Sequence, residues 1–414
     1  MRATAPFPMD HATLSALLRE HGDAVYILDV DGYARNIEAM RSLFNAHYRR
    51  TGIGHSYKTN YIPQLCHVAY RSGAYAEVVS RMEYDLAIRL GASPERIILN
   101  GPVKDDALLG EALHAGAIVN VDSVEESQRA LAIVQAAPDK RFALGLRLNF
   151  AMPGLRRSRF GIDVDGPDLP EVLRALSATP NCELAGIHCH MGGDRSAQAY
   201  GHRTQRMIDL ARSIFPDAPP RYIDIGGGFA GSMPAELAAQ LPYDVPDMKD
   251  YAAAVAGTFA RAFDATNGPE LIVEPGMGLL SDVLHFVCAV ASVKMIAGEH
   301  HAITTGSIYN VKPTLNKFDL PLHVVPGGGS AAEEATWTIS GYTCMEIDIL
   351  HGGYKGRIGQ GDLLVFSNVG AYTVVLKPPF IKPAPAIVAL GSDGTFGLIK
   401  RPESLDNIMS TYIW

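Results

Sequence analysis

Short apolar runs alternate with longer segments of helical periodicity between about residue 50 and residue 280 of the chain. Such alternation is the sequence pattern of repeated β-strand and α-helix units in a parallel sheet. Segments long enough for crossover helices include 82–91, 104–115, 123–137, 196–213 and 247–264. The apolar runs lie at 53–57, 75–79, 96–99, 117–121, 142–148, 184–190, 221–225 and 270–274. Eight such units match a closed (β/α)8 TIM-type barrel better than an open sheet, so we assign the chain to the α/β class.

The pattern changes after about residue 281, where β-rich stretches are interrupted by Gly and Pro and show little helical periodicity. These stretches lie at 283–291, 333–339, 362–366 and 373–377, and they predict a C-terminal β domain built as a β-sandwich or a β-barrel. We expect the barrel at 35–280 and the β domain at 281–414. The N-terminal segment, 1–34, has a helical pattern at 11–21 and a strand-like run at 24–29, and we expect it to pack with the β domain. The sequence PGGGS at 326–330 predicts a flexible loop.

Composition places the chain among soluble globular proteins. Hydrophobic residues make up 47% and charged residues 19% of the 414 residues, and no apolar run approaches the roughly 20 residues that span a bilayer. The first residues lack the basic and apolar blocks of a secretory signal, so we expect a cytoplasmic protein. Five cysteines without CxxC spacing argue against a disulfide framework and a zinc site. A formal charge of -8 without a Lys/Arg run gives no footprint for nucleic acid, so we expect a small-molecule substrate.

The carboxyl ends of the eight predicted strands, where a barrel builds its active site, carry polar residues or glycine. A lysine at such a position is unusual, because burying an ammonium is costly unless the group is paired, neutral or covalently committed. A Schiff base with a carbonyl cofactor removes that cost. The alternative is that the lysine lies at the surface in a loop. This interpretation is less favourable because glycines and a carboxylate are predicted on the same rim. In chain order the rim residues are Lys58, Ser80 with Glu83, Asn100 with Gly101, Asp122, Arg147 with Asn149, His190, Gly226 to Gly228, and Glu274.

Three features of this rim allow either a ligand-binding or a structural interpretation. The glycines 226–228 let backbone N–H groups approach a phosphate at strands where barrels often hold one, although a simple turn is the alternative. Glu274 forms either a rim ion pair or, beside a pyridine ring, the carboxylate that favours a protonated ring nitrogen. His188 and His190 can share one face of a strand, so a metal is geometrically possible. No third ligand stands out, so we expect no metal and a flat contact of His190 with a cofactor ring.

Together these residues resemble the fold-type III pyridoxal-phosphate (PLP) decarboxylases, which include diaminopimelate, ornithine and arginine decarboxylases with an alanine-racemase-like barrel. The family's markers occur in the family's order over almost the whole chain. They are Y-K-T-N (57–60), AEVVSRMEYDLA (76–87), S-R-F-G (158–161), H-C-H-M-G (188–192), D-I-G-G-G-F (224–229), E-P-G (274–276), YTCMEID (342–348) and G-A-Y (370–372). Each marker is weak by itself, but their shared order makes the resemblance specific.

The resemblance implies PLP as cofactor, α-decarboxylation of an amino acid as activity, and a homodimer whose active sites are shared between subunits. It implies that Lys58 is the Schiff-base lysine, that His190 stacks on the ring, and that Cys344 donates a proton from the neighbouring subunit. It places Glu77, Gly226, Gly227, Gly228, Glu274, Gly276 and Tyr372 at the cofactor. It places Arg147, Lys312, Met345 and Asp348 at the substrate.

Four departures from the family's motifs bear on the substrate. E-P-G-R reads E-P-G-M at 274–277, and H-x-G-S reads H-M-G-G at 190–193, so a cation and a phosphate-binding hydroxyl are missing. Met345 stands where an acidic residue normally meets a distal amine, and the stretch that reads the far end of diaminopimelate appears as K-P-T-L-N at 312–316. An unpaired distal ammonium in a dry pocket costs about 2–5 kcal/mol. We therefore expect a substrate with a neutral or acidic distal group, such as a conjugated amino acid of siderophore or antibiotic assembly, with Lys312 as its distal contact.

Two other functions share the barrel and the lysine. A PLP-dependent racemase or epimerase of the alanine-racemase type pairs the ring nitrogen with arginine, whereas Glu274 favours fuller electron withdrawal by the ring. A non-enzymatic PLP-carrier protein lacks a second domain, whereas this chain has a whole predicted domain after its barrel. The decarboxylase is therefore the leading hypothesis.

Overall fold

The computed structural model describes residues 9–328 and 334–413, so the loop predicted at 326–330 lies partly outside the described residues. The strands are β1 (Ala24–Leu28), β2 (Thr51–Ser56), β3 (Tyr75–Val78), β4 (Ile97–Leu99), β5 (Ile118–Val121), β6 (Phe142–Asn149), β7 (Ile162–Asp163), β8 (Cys182–His188), β9 (Tyr222–Gly227), β10 (Glu270–Glu274), β11 (Leu284–Ile296), β12 (Glu299–Thr304), β13 (Leu322–Val325), β14 (Glu334–Ser340), β15 (Ile349–Arg357), β16 (Leu363–Phe366), β17 (Ala386–Leu390) and β18 (Phe396–Lys400). The α-helices are α1 (His11–His21), α2 (Val30–Asn45), α3 (Pro63–Arg71), α4 (Arg81–Arg89), α5 (Asp106–Ala115), α6 (Val124–Gln135), α7 (Asp168–Ser177), α8 (Ala197–Ile214), α9 (Ala235–Ala238), α10 (Met248–Ala262), α11 (Met277–Leu280), α12 (Ile308–Val311) and α13 (Leu405–Met409).

Eight parallel strands close into a barrel in the order β2, β3, β4, β5, β6, β8, β9 and β10, with β10 returning to β2. This closure confirms the predicted (β/α)8 class. Three of the barrel helices begin at a serine cap: the side chains of Ser80, Ser123 and Ser196 each accept a hydrogen bond from the backbone N–H three residues later. Because Ser80 and Ser123 come within two residues of a strand end, these caps fix the chain where the rim residues lie.

The interior of the barrel is filled around the ring of Tyr222 on β9. Ile98, Ala185 and Ile272 pack with it from neighbouring strands. A Cβ atom at Gly186 would lie 2.6 Å from the Tyr222 ring, so glycine on β8 is what leaves space for this aromatic side chain. The Tyr222 hydroxyl is thereby carried into the centre of the barrel, where it begins the polar network described below.

The second unit is a β domain, as the sequence predicts. Its sheet runs in the order β15, β14, β12, β11, β1, β17 and β18, with β16 paired to β11 and β13 paired to β16. Strand β1 lies between β11, to which it is antiparallel, and β17, to which it is parallel. Leu14 and Leu17 of α1 pack with Val25, Ile27 and Val287 in the core of this domain.

The strand predicted at 373–377 is wrong. Residues 371–376 form turns instead, and the Leu376 amide donates to the Thr373 carbonyl at 3.3 Å. Tyr372 has a φ of 60°, which lies outside the extended region, and Pro378 and Pro379 follow without N–H donors for a ladder. This stretch therefore has the apolar composition of a strand but not the extended backbone that a strand requires.

The chain forms two compact units, one of residues 34–230 and 243–278 and another that contains 231–242, the residues from 279 onward and the N-terminal part. The bounds expected from the sequence place 231–242 inside the barrel. Gln240 explains its grouping, because its Nε2 donates to the Asp319 carbonyl at 2.9 Å and its Oε1 accepts from the Asp319 amide at 2.8 Å. In the described part of the chain, no helix combines the length and apolarity needed to cross a membrane.

Candidate active site

Lys58 lies in the turn directly after β2, at the carboxyl end of the barrel. Its Nζ atom contacts Oε2 of Glu77, which is fully buried on the neighbouring strand β3. The parallel register of β2 and β3 pairs Ser56 with Glu77, and this pairing brings the lysine of the turn next to the carboxylate. The Lys58 side chain is 30% exposed, so the amine has a buried counter-charge and an open side for a ligand.

Asn100, one residue after β4, links Glu77 to Glu274 at the end of β10. Its Nδ2 donates to Glu77 Oε1 at 3.1 Å and to Glu274 Oε1 at 2.6 Å. Its Oδ1 accepts from Asn120 Nδ2 at 2.9 Å, and Asn120 Oδ1 accepts from the Tyr222 hydroxyl at 2.7 Å. All of these side chains are buried, so one amide network holds two carboxylates in fixed positions across the barrel mouth.

Glu274 also belongs to a buried cluster with Asp224 of β9 and His188 of β8. One ligand-type atom from each residue lies within 4.8 Å of the others, and His188 Nε2 is 3.7 Å from Glu274 Oε2. Among the described residues, Asp224 Oδ2 and both ring nitrogens of His188 have no hydrogen-bond partner. Two carboxyl groups this close in a dry interior do not both ionise, because like charges disfavour each other.

The proton of this carboxyl pair resides on Asp224. Burial raises the pKa of Asp224 well above its ordinary value, and the charge of Glu274 raises it further. Burial also opposes the ionisation of Glu274, but the neighbouring His188 and the charge of Lys58 outweigh burial and lower the pKa of Glu274. Burial lowers the pKa of His188. Glu274 is therefore the ionised member of the pair.

This cluster of His188, Asp224 and Glu274 was not predicted from the sequence. His188 has two carboxyl neighbours that we did not identify as its possible partners, whereas His190 is not part of the group. Sequence spacing could not reveal them, because Asp224 and Glu274 lie on two other strands. The raised pKa of Asp224 and the lowered pKa of Glu274 describe the cluster as two carboxyl groups that share one proton beside a histidine. That no metal binds at this site stays a prediction.

The glycine turn after β9 approaches His190 and Glu274 closely. The Gly227 amide donates to His190 Nδ1 at 3.1 Å, and the Gly226 amide donates to Asp224 Oδ1 at 2.8 Å. Gly226 and Gly228 have φ values of 70° and 93°, the left-handed region that favours glycine. A Cβ atom on Gly227 would lie 1.9 Å from the Glu274 carbonyl oxygen. The turn therefore requires glycine, and it fixes the His190 ring by its Nδ1 acceptor.

His190 itself is held neutral. Burial lowers its pKa well below the ordinary value, and the charge of Lys58 lowers it further. Because Nδ1 accepts the Gly227 amide hydrogen, the ring proton is on Nε2. A neutral, fixed imidazole offers a flat face to an aromatic ligand.

Gly276 and Thr59 form a second small cradle next to Lys58. Gly276 has a φ of 50°, and a Cβ atom there would lie 2.9 Å from Thr59 Oγ1. Thr59 Oγ1 is buried and has no hydrogen-bond partner among the described residues. An orphaned buried hydroxyl beside an amine is an observation in favour of a polar ligand at this place.

Arg147, expected at the substrate, is held by Asp122 at the end of β5. Its Nη1 donates to Asp122 Oδ1 at 2.9 Å, and its guanidinium lies 4.7 Å from the centroid of the Phe160 ring. Its side chain is only 8% exposed. These contacts fix the arginine at the rim, and its contact with substrate stays a prediction.

Three of the expected site residues lie in the β domain, in the loop between β14 and β15. Cys344 is exposed, and the sulfur of the exposed Met345 is 3.5 Å from the Tyr309 hydroxyl. Asp348 is buried, and its two oxygens accept hydrogen bonds from Ser307 Oγ and from the amides of Ile308 and Thr343. Asp348 therefore holds this loop, and its predicted contact with substrate remains untested.

Lys312 and Tyr372, also in the β domain, have distinct surroundings. Lys312 is buried, its Nζ donates to the Phe318 carbonyl at 3.0 Å, and Asp319 Oδ1 lies 3.7 Å away. Burial lowers its pKa. Tyr372 is partly buried with a positive φ, a strained backbone state that proteins retain chiefly at functional sites.

The barrel site has the groups that PLP needs. It offers a primary amine for the aldehyde, a glycine turn without side chains for a phosphate, an ionised buried carboxylate for a pyridine nitrogen, and a fixed imidazole for the ring face. All of them belong to the barrel unit, at the carboxyl ends of β2, β8, β9 and β10. The residues therefore fit the cofactor that the sequence predicts.

Comparisons with known proteins agree with this reading. Residues 34–281 match the family model of the pyridoxal-dependent decarboxylase, pyridoxal binding domain. A diaminopimelate decarboxylase of Aquifex aeolicus is 23% identical over 97% of this chain and 94% of its own. The crystal structure of diaminopimelate decarboxylase from Helicobacter pylori complexed with L-lysine superposes with a TM-score of 0.81 at 19% identity, covering 96% of this chain and 98% of that one. The diaminopimelate decarboxylase from M. jannaschi gives 0.85 at 19%, covering 96% and 94%.

The family match covers more than half of the chain and the barrel that contains Lys58, Glu77, His190 and Glu274. The relative and the two solved structures named above are diaminopimelate decarboxylases. The chain belongs to the pyridoxal-dependent decarboxylase family, and it is a PLP-dependent carboxy-lyase.

Proposed function

We propose that the enzyme removes the α-carboxyl group of an amino acid or amino-acid conjugate whose distal group is neutral or acidic, with PLP bound covalently to Lys58. One observation carries the assignment of the site. The Lys58 amine contacts buried Glu77, which Asn100 links to ionised Glu274 on the rim that also bears the glycine turn. A structural lysine has no need of two buried carboxylates fixed at this spacing.

The chain's residues prepare the site for an aromatic, anionic cofactor. When bound, PLP supplies an electron sink for the electron pair left by departing carbon dioxide. Glu274 is held ionised and favours a protonated ring nitrogen by charge attraction, while Asp224 keeps the pair at one proton. His190 presents a neutral ring fixed by the Gly227 amide. The glycines of the turn have no side chain that would keep a phosphate away from it.

The attachment to Lys58 has a direct test. Purified enzyme that carries PLP should be yellow, and reduction with borohydride followed by peptide mapping should place the pyridoxyl mass on Lys58. Lys58→Ala should lose the covalent label while binding PLP reversibly. A label on another lysine would refute the assignment.

The proposal on substrate class rests on the uncharged side chain of Met345. A thioether has no charge to pair with a distal ammonium, and its nearest polar contact is the uncharged Tyr309 hydroxyl. Lys312 is the candidate distal contact; its present partners are a carbonyl and Asp319, which an anionic substrate group would have to displace. A conjugated amino acid of the kind used in siderophore or antibiotic assembly has the required chemistry.

A panel of amino acids and conjugates tests the substrate class by the carbon dioxide released. The panel includes lysine, ornithine and diaminopimelate, because the curated relatives are named diaminopimelate decarboxylases. We expect these three to react far more slowly than a compound with a neutral or acidic distal group. Efficient turnover of lysine or ornithine would overturn the substrate class and leave the cofactor assignment in place.

The proton that replaces carbon dioxide is proposed to come from Cys344 of a second subunit in a homodimer. Cys344 is exposed in the described chain, as a residue that completes a partner's site must be. A thiol also has the pKa range of a general acid for a carbanion. Size-exclusion chromatography with light scattering measures the oligomeric state, and a stable monomer with full activity would exclude the shared site.

A further inference from the structure

Arg195 is a cation at the barrel mouth without a carboxylate partner among the described residues. It follows Gly192 and Gly193 and comes just before α8, and its side chain is partly buried. Its guanidinium contacts the sulfur of Met277, the residue after Gly276. A thioether is a weak acceptor, so this contact does not balance the charge.

The backbone of Arg195 is tied to the glycine turn. The Tyr251 hydroxyl donates to the Arg195 carbonyl at 2.5 Å and accepts from the Ala230 amide, two residues beyond Gly228, at 3.3 Å. Tyr200, on the helix that Arg195 precedes, donates its hydroxyl to the Gly227 carbonyl at 2.9 Å. Two tyrosines thus hold the start of α8 against the turn.

A second arginine, Arg203, lies behind the same turn, but its guanidinium is bonded to the backbone. It is buried, and its guanidinium donates to the carbonyls of Met191, Ile225 and Gly227. These bonds shape the turn, and the donor of Arg203 that has no hydrogen-bond partner among the described residues, Nε, is buried. Of these two arginines, Arg195 is the one whose guanidinium is bonded to no carbonyl or carboxylate of the described residues.

We propose that Arg195 binds the phosphate group of PLP, so that a residue before α8 supplies the positive charge for which position 277 has only a thioether. The proposal rests on the proposed function, because it takes the glycine turn as the phosphate site. A planar guanidinium pairs with phosphate oxygens by two parallel hydrogen bonds, and the glycines of the turn have no side chain that would keep a phosphate away from it. The Met277 side chain contacts the Arg195 guanidinium, so the side chains of residues 195 and 277 lie next to each other.

The test compares PLP with pyridoxal, which lacks the phosphate, by titration of the apo enzyme followed by absorbance and intrinsic fluorescence. The wild type should bind PLP more tightly than pyridoxal. Arg195→Met should weaken PLP binding by about tenfold to one-hundredfold, the range expected for a hydrogen-bonded charge pair, and leave pyridoxal binding unchanged. Arg195→Lys should lose less, because it keeps the charge but not the planar fork.

A charge swap separates a direct contact from a structural effect. Adding Met277→Arg to Arg195→Met should restore a large part of the preference for PLP over pyridoxal, since the side chains occupy neighbouring positions. Arg212→Met, the same change at an exposed position near the other end of α8, is the matched control and should leave both affinities unchanged. Circular dichroism of each apo variant reports folding independently of binding.

Each result distinguishes this inference from the proposed function. Unchanged PLP affinity in Arg195→Met, or equal losses for PLP and pyridoxal, would overturn the phosphate contact even if Lys58 is labelled as expected. Failure of the wild type to attach either aldehyde to Lys58 would instead overturn the proposed function. Should Arg195→Met fail to fold, Arg195→Gln, which keeps polar donors without charge, takes its place in the same comparison.

Discussion

The substitution Asp224→Asn tests how many protons the buried carboxyl pair holds. An asparagine keeps one oxygen to accept the Gly226 amide and offers an NH2 group where the protonated carboxyl oxygen points toward Glu274. Because burial and the charge of Glu274 hold the proton on Asp224, the variant reproduces the same donor and acceptor pattern. We expect it to fold and to form the yellow complex with PLP.

The magnitude of the effect on stability follows from proton linkage in the apo protein. The pKa of Asp224 is raised in the folded state above its ordinary value of 3.8, so at higher pH the folded state holds one proton that the unfolded state has lost. Stability from this group is therefore complete below its unfolded pKa and falls by about 1.4 kcal/mol per pH unit until the folded pKa is reached. The pKa of Glu274 is lowered from 4.5, so its contribution is constant from about pH 5 upward.

The assay is urea unfolding of the apo wild type and of the variant at pH 5, 6 and 7, followed by circular dichroism. The difference in the free energy of unfolding, variant minus wild type, should rise with pH by up to about 1.4 kcal/mol per pH unit, because asparagine has no proton to lose. Subtraction removes the contributions of the groups whose pKa the substitution leaves unchanged. Asp209→Asn, the same change at an exposed position on α8, is the control. A difference that is flat or falls with pH would show that Asp224 is ionised in the folded protein.

Three further predictions concern the network, the substrate and the subunits. Asn100→Ala removes two hydrogen bonds to carboxylates and should lower the free energy of unfolding by about 3 kcal/mol and weaken PLP binding, measured by urea unfolding and titration; an unchanged affinity would separate this network from the cofactor. Met345→Glu should raise kcat/KM for lysine and ornithine selectively, and a gain confined to acidic substrates would contradict the reasoning. Mixing inactive Lys58→Ala and Cys344→Ala chains should restore part of the activity, because a hybrid dimer has one complete site; no recovery despite proven subunit exchange would exclude sharing.

The rim of the barrel was predictable from the sequence because each strand end can be recognised from a few neighbouring residues. A short apolar run followed at once by a polar residue locates a strand end, and eight such ends must meet in one ring. The positions of Lys58, His190 and Glu274 at the mouth follow from that rule alone. The family resemblance then added roles that no periodicity contains, above all for Cys344 in the other unit.

The polar interior of the barrel was only partly predictable. Asn100 was identified from the sequence as a rim residue. Asn120 and Tyr222 lie inside apolar runs, and no neighbouring residue of those runs indicates which side chain they bond in the folded barrel. Their partners come from strands that are neighbours only in the closed barrel. An amide or hydroxyl within a buried parallel strand was the available signal, since such a group is rarely left without a hydrogen bond.

Arg195 shows why a departure from a motif has to be followed in space. In the sequence, Gly193 and Met277 are two separate losses, 84 positions apart, and both weaken the expected hold on a phosphate. In the structure, the side chain that reaches Met277 is an arginine two residues after Gly193, on the segment that Tyr251 binds to the glycine turn. The thioether at position 277 and the cation at position 195 therefore meet at one place, and Arg195 offers there the positive charge that Met277 does not.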